Sequence, residues 1–142
     1  MAHEATPELV SFDAGRALER AQSVVAGQVL VFAEITDRDY NIMYVSGEML
    51  DRFDDVEADL FEIADDVHEY EVIDFFERDV VDDLLPVAGE VQAFATFAEL
   101  VVVVRILTGT EGVYITVPSG TDVNSLVSEV RAVMTRDGVD GP

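Results

Sequence analysis

The sequence has no cysteine, no lysine and no tryptophan in 142 residues. Without thiols, disulfides, thiolate metal sites and cysteine nucleophiles are excluded together. Without lysine there is no phosphate-loop ammonium and no Schiff-base nucleophile. Neither G-x-G-x-x-G nor G-x-S-x-G occurs, so the dinucleotide fingerprint and the hydrolase nucleophile elbow are missing as well. No uninterrupted apolar run approaches the roughly 18 residues of a membrane span. The opening MAHEATPELV lacks the basic start and apolar core of a signal peptide, so the expected address is the cytoplasm.

Acid is what the chain has in excess. Thirty Asp and Glu face eight Arg, for a formal net charge of −22. Because 49% of the residues are apolar, this is not a disordered acidic tail. Abundant short carboxylates with no long lysine stems suggest a halophilic, archaeal-type cytoplasm. At about 1 M salt the screening length falls to roughly 3 Å, which removes most of the self-repulsion that would loosen the fold in dilute buffer. Such a surface repels phosphate backbones and anionic lipid, so neither nucleic acid nor membrane is an expected partner. Monovalent cations are expected to condense on it non-specifically.

Hydropathy patterning divides one domain into eight or nine elements, with an ordered core over residues 7–134 and tails at 1–6 and 136–142. Thr6-Pro7-Glu8 has the residues of a helix start, and Val10, Ala14, Ala17, Leu18, Ala21 and Val25 recur at helical steps up to Gly27. QVLVFAEI (28–35) and YNIMYV (40–45) predict a hairpin around TDRD. The segment Asp51–Leu85 holds fifteen Asp or Glu and two Arg. Met49, Phe53, Val56, Leu60, Ile63, Val67 and Tyr70 form its apolar seam. Ile73, Phe76, Val80 and Leu84 form a second set, which predicts one or two helices with a break at 68–72. VQAFATF, LVVVVRIL and VYITV predict a three-strand meander, in which LVVVV is a central strand covered on both faces. A last helix capped by Thr121 directs Val123, Leu126, Val127, Val130 and Met134 inward. The fold class is therefore α+β: a five-stranded antiparallel sheet with helices on both faces, in the order α-β-β-α(α)-β-β-β-α.

A calcium loop opening at Asp51 would place Glu62 at its twelfth position, but Phe53 and Val56 stand where an oxygen ligand and a glycine belong. His3 is expected in a mobile terminus. His68, among Asp65, Asp66, Glu69 and Glu71, could be oriented for metal or proton transfer, with a solvated helix histidine the favoured reading. Zinc would need an all-carboxylate set beside one imidazole. A glycosidase-like acid pair carries no information among thirty acids. Arg105, a charge inside LVVVVRIL, is read as the strand leaving cover in preference to an ion pair at a helix end.

The element order, with the hairpin before the long helical segment and the meander after it, resembles the roadblock/LC7 and longin-type (profilin-like) architecture. DRDYNIMYVSGEMLDRF and VQAFATFAELVVVVRIL also resemble a small acidic family of haloarchaeal proteins, a likeness that carries no activity. The roadblock resemblance implies a non-catalytic, dimerising platform, in some cases one for small GTPases. The chain is accordingly expected to be a non-catalytic interaction or regulatory module with no cofactor. Its expected partner is a second copy or another protein, docking through Tyr40, Ile42, Tyr44, Met49, Phe53, Val56 and Leu60. The alternatives are a small-ligand sensory domain, with a pocket between sheet and helix, or a carboxylate enzyme with a divalent metal.

Overall fold

The computed structural model describes residues 3–26, 28–51, 56–84 and 86–139. In chain order it contains β1 (His3–Glu4), α1 (Ala14–Val24), β2 (Val31–Thr36), β3 (Tyr40–Val45), α2 (Gly47–Leu50) and α3 (Val56–Leu84). A 3₁₀ turn (Pro86–Ala88), β4 (Ala93–Phe97), β5 (Val101–Thr108), β6 (Glu111–Pro118) and α4 (Val123–Val139) complete it. The strands form one sheet in the order β1-β3-β2-β6-β5-β4, and every pairing is antiparallel. The five expected strands are all present. The two-residue β1 is an addition at the edge, pairing His3 with Val45 and Glu4 with Tyr44, so this part of the expected tail is tied to the sheet.

Alternation along the strands builds two apolar layers. Phe32, Val102, Val104, Ile106, Val113, Ile115 and Val117 face α1 and α4, meeting Ala14, Ala17, Ala21, Leu126, Val130 and Met134 in the main core. Alanine on three successive turns lets α1 lie close against α4, which supplies the bulk. Each fully buried Leu or Val there contributes about 1.5–3 kcal/mol. On the other face Ala33, Ile35, Ile42, Val45 and Leu107 meet Phe75 of α3 in a smaller layer. Gly112 is a steric requirement of this sheet: a Cβ there would run into the Ile106 carbonyl oxygen and the Leu107 side chain.

Three expected boundaries move. The first helix begins at Ala14, capped by the Asp13 carboxylate on the Arg16 amide at 3.1 Å, and not at Pro7. The stretch before it is held open by Glu34 on β2, which is completely buried. The Glu34 carboxylate accepts the amides of Glu8 (2.6 Å), Leu9 (3.0 Å) and Val10 (3.0 Å), with Asn41 Nδ2 at 2.7 Å. Those amides would otherwise start a helix. Gly27, the expected stop, lies outside the described residues; the left-handed residue after α1 is Ala26, at φ 56°. At the last helix the cap is Asp122, whose carboxylate accepts the Ser125 amide and hydroxyl and is held below the usual carboxylate range by them. Thr121 instead donates to the Pro118 carbonyl at 2.7 Å. α4 itself runs on to Val139, through residues expected to fray. The expected break at 68–72 does not occur, and α3 is one helix of 29 residues.

Candidate functional site

Helix α3 crosses the second face of the sheet along one end, and side chains fix where it lies. Tyr40 Oη donates to Asp65 Oδ1 at 2.5 Å. His68 Nε2 lies 3.1 Å from the Thr36 carbonyl, an acceptor, so that nitrogen carries the proton. Arg78 donates to the Gly109 carbonyl in the β5–β6 turn and stacks 5.7 Å from the centre of the Phe75 ring. Asp82 accepts the Val91 amide at 2.8 Å. The anchors at Thr36 and Gly109 sit on the turn ends of the β2–β3 and β5–β6 hairpins. The far half of this face is therefore less covered.

Arg105 supplies the deepest anchor. Its Nε donates to Asp74 Oδ2 at 2.8 Å, and its Nη1 reaches Thr96 Oγ1 at 2.7 Å and the Val103 carbonyl at 3.1 Å. Both side chains are nearly buried. The expectation that Arg105 marks the end of cover is thus corrected: the guanidinium pairs with a carboxylate from the middle of α3, and its fork is filled by strand groups.

Between α3 and the less covered half of the sheet lies a cleft of about 240 Å³. Its floor is Val31, Ala33, Ile42 and Val103, with Met49 at one side and Ala64 and Val67 overhead. Val101 and Val103 are only half-buried here, so the β5 strand expected to be covered on both faces is fully covered on one. At the mouth the rings of Tyr40 and His68 meet at 5.3 Å. Burial first, then the Asp65 hydrogen bond and charge, push the Tyr40 hydroxyl up to about 12. His68 is therefore not a solvated helix histidine; its Nε2–H fastens α3 to the hairpin turn.

The expected docking residues are divided by the fold. Tyr40, Ile42 and Met49 line the cleft. Tyr44 packs on the opposite layer, because the sheet register shifts between Phe32 and Ala33 and leaves Met43 as an extra residue. Ile42 and Tyr44, two positions apart, consequently face opposite ways. The β3 edge is not open along its length either: β1 pairs with it, and the Ala5 amide bonds the Met43 carbonyl at 2.9 Å. Val56 and Leu60 fall within α3, and Phe53 lies outside the described residues.

A different apolar surface is exposed. Ile73 (52%), Phe76 (70%), Val80 (38%) and Leu84 (72%) stand at solvent on α3, followed by Val87 in the 3₁₀ turn. At about 100° per residue the first four span a stripe roughly 80° wide, opposite the face that carries Phe75 and Asp74. The hydrophobic spacing was legible in the sequence, but its direction was not. Among the described residues no helix is long and apolar enough to cross a membrane, and no three His, Asp or Glu side chains converge in a metal-binding group. The inward carboxylates Glu34 and Asp74 are each satisfied by the protein itself.

The fold and these surfaces define an α+β domain, with an antiparallel sheet held between helices. No protein-family model matches the chain, and no curated protein is significantly similar to it.

Proposed function

We propose that this chain is a non-catalytic interaction module of a salt-rich cytoplasm, and that it pairs with a second copy of itself through the outer face of α3. The carrying observation is the exposed row Ile73, Phe76, Val80 and Leu84. With Val87 it leaves on the order of 500 Å² of apolar surface in one place, at the upper end for the largest patch on a monomer. Exposing that much is costly in the salt-rich water that the rest of the surface suits. A two-fold axis across the stripe would lay one row against its copy, so that a single patch supplies both sides of the contact. With the acid rim included, such a contact approaches the roughly 800 Å² per partner of a standard interface.

The resemblance to roadblock-type domains, which dimerise, supports the same reading. So does the state of the chemistry-bearing side chains: His68, Tyr40, Asp74 and Arg105 are all occupied in positioning α3.

The acids flanking the stripe, Glu69, Glu77 and Asp83, are exposed. They would be brought near their copies, so the dimer needs screening. A basic partner would show the reverse salt dependence. Light scattering across a KCl series should show a dimer at molar salt that dissociates on dilution of the salt. Phe76→Ser with Leu84→Ser removes four large apolar contacts per dimer at about 1.5 kcal/mol or more each, and should weaken pairing by at least a hundredfold with an unchanged circular-dichroism spectrum. A wild-type chain that stays monomeric at every salt concentration, or a dimer indifferent to the double substitution, would refute this assignment.

A further inference from the structure

We infer that the cleft beneath α3 is a binding site for a small, neutral, apolar molecule of about ten non-hydrogen atoms, a size scaled from the ~150 Å³ cavity that accepts benzene. The site is on the opposite side of α3 from the proposed pairing face, so the two readings stand or fall separately.

Size, lining and charge each narrow the ligand. A volume of about 240 Å³ admits one aromatic ring with a short or fused extension, and excludes nucleotides and long acyl chains. The lining is dominated by Val31, Ala33, Ile42, Ala64, Val67 and Val103, which offer contact area and no hydrogen bonds. The Tyr40 hydroxyl proton and the His68 Nε2 proton, at the mouth, are already committed to Asp65 and the Thr36 carbonyl, so neither is offered to a ligand. A ligand with several polar groups would therefore bury them without partners, at a cost the pocket cannot offset. Charge decides the rest. Asp65 is at the mouth, Asp39 lies beside Tyr40, and both raise the Tyr40 hydroxyl by their charge. A carboxylate or phosphate entering there would pass like charge and leave water for an apolar lining that offers it no partner, so anions are selected against.

The cleft is also placed to report its occupancy. Its roof is the stretch of α3 carrying Ala64, Val67 and His68, and α3 continues unbroken to the outer stripe. Filling the space would add contacts between sheet and helix where the sheet face is now only half-buried.

Indole and benzoate, similar in size and differing in charge, are suitable probes. Each is titrated into the full chain in molar KCl while methyl resonances are followed by heteronuclear NMR. Indole should give saturable shifts at Val31, Ile42 and Val103, with half-saturation at about 1 mM or below, as the usual affinity per ligand atom suggests. Benzoate should bind at least tenfold more weakly. Ala64→Phe, which places a ring in the cleft from above, should abolish the indole shifts; Val103→Phe does the same from the floor, so one variant serves if the other unfolds. Phe76→Ser, on the outer face, should leave binding unchanged. Shifts that never saturate, that centre on Ile73 or Val80, that are equal for benzoate, or that survive in a folded cleft-filling variant would overturn the assignment.

Discussion

Replacing Glu34 tests most directly how a heavily acidic chain holds its N-terminal segment. The carboxylate is completely buried on β2, and four donors converge on it: the amides of Glu8, Leu9 and Val10, and Asn41 Nδ2. In Glu34→Ala all four lose their acceptor. The three amides lie where water can partly reach them, so the cost per donor falls towards the low end of the 1–3 kcal/mol for an unsatisfied group. The charge-assisted bonds also vanish, and a total of about 4 kcal/mol follows. At roughly 3–4 °C per kcal/mol for a domain of this size, the melting temperature should fall by roughly 10–15 °C. Glu34→Gln keeps one carbonyl oxygen for Leu9 and Val10 but turns an NH₂ towards the Glu8 amide and Asn41, and should lose about half as much. Thermal unfolding by circular dichroism in molar KCl gives both numbers, and hydrogen exchange should show the Glu8, Leu9 and Val10 amides losing protection first. Because these bonds are short-range and largely shielded, the differences should persist across salt concentrations. A Gln variant melting within about 2 °C of wild type, the range of an ordinary surface change, would refute the anchoring role.

Two further tests address α3. Tyr40 is held protonated up to about 12, against an ordinary value of 10, so the folded chain retains a proton that the unfolded chain gives up. Stability from this group is full below pH 10 and lost as pH rises towards 12; a near-ultraviolet alkaline titration should show a late-ionising component that Tyr40→Phe removes. Asp74→Ala strands the Arg105 guanidinium against the sheet and should cost about 3–5 kcal/mol, whereas Asp74→Leu with Arg105→Leu should come back to within about 1 kcal/mol of wild type. A double variant as unstable as the single one, measured by urea unfolding in molar KCl, would show that the pair contributes net stability of its own.

How far the molecule was legible in its sequence varies from element to element. YNIMYV emerged as a strand with the boundaries expected, since its residues favour a pleated strand and a polar turn precedes it. Thr6-Pro7-Glu8 carried every local mark of a helix start and is not one. The deciding group, Glu34, stands 24 to 26 residues away. Its only sequence signal was a lone acid inside VFAEI. The long helix misled in another way. Its apolar seam recurs every 3.5 residues while the helix turns every 3.6, and three successive steps of three from Val67 to Phe76 speed the drift. A seam that lines the cleft at Ile63 and Val67 has therefore rotated to solvent by Ile73 and Phe76. Phe75 and Asp74, outside the seam, make the inward contacts there.

Local spacing along the chain was thus enough to establish the order of the five main strands and the longer helices, the antiparallel meander and an acid-rich exterior, because these depend on neighbours within a turn or a strand. The tertiary structure alone decided that Glu34 and Asp74 turn inward, which of α3's apolar sets is left at solvent, and that Ile42 and Tyr44 part company across a bulge. Each of those depends on a partner distant in sequence or on a register shift. Periodicity counts residues along one element, and it carries no record of what that element meets.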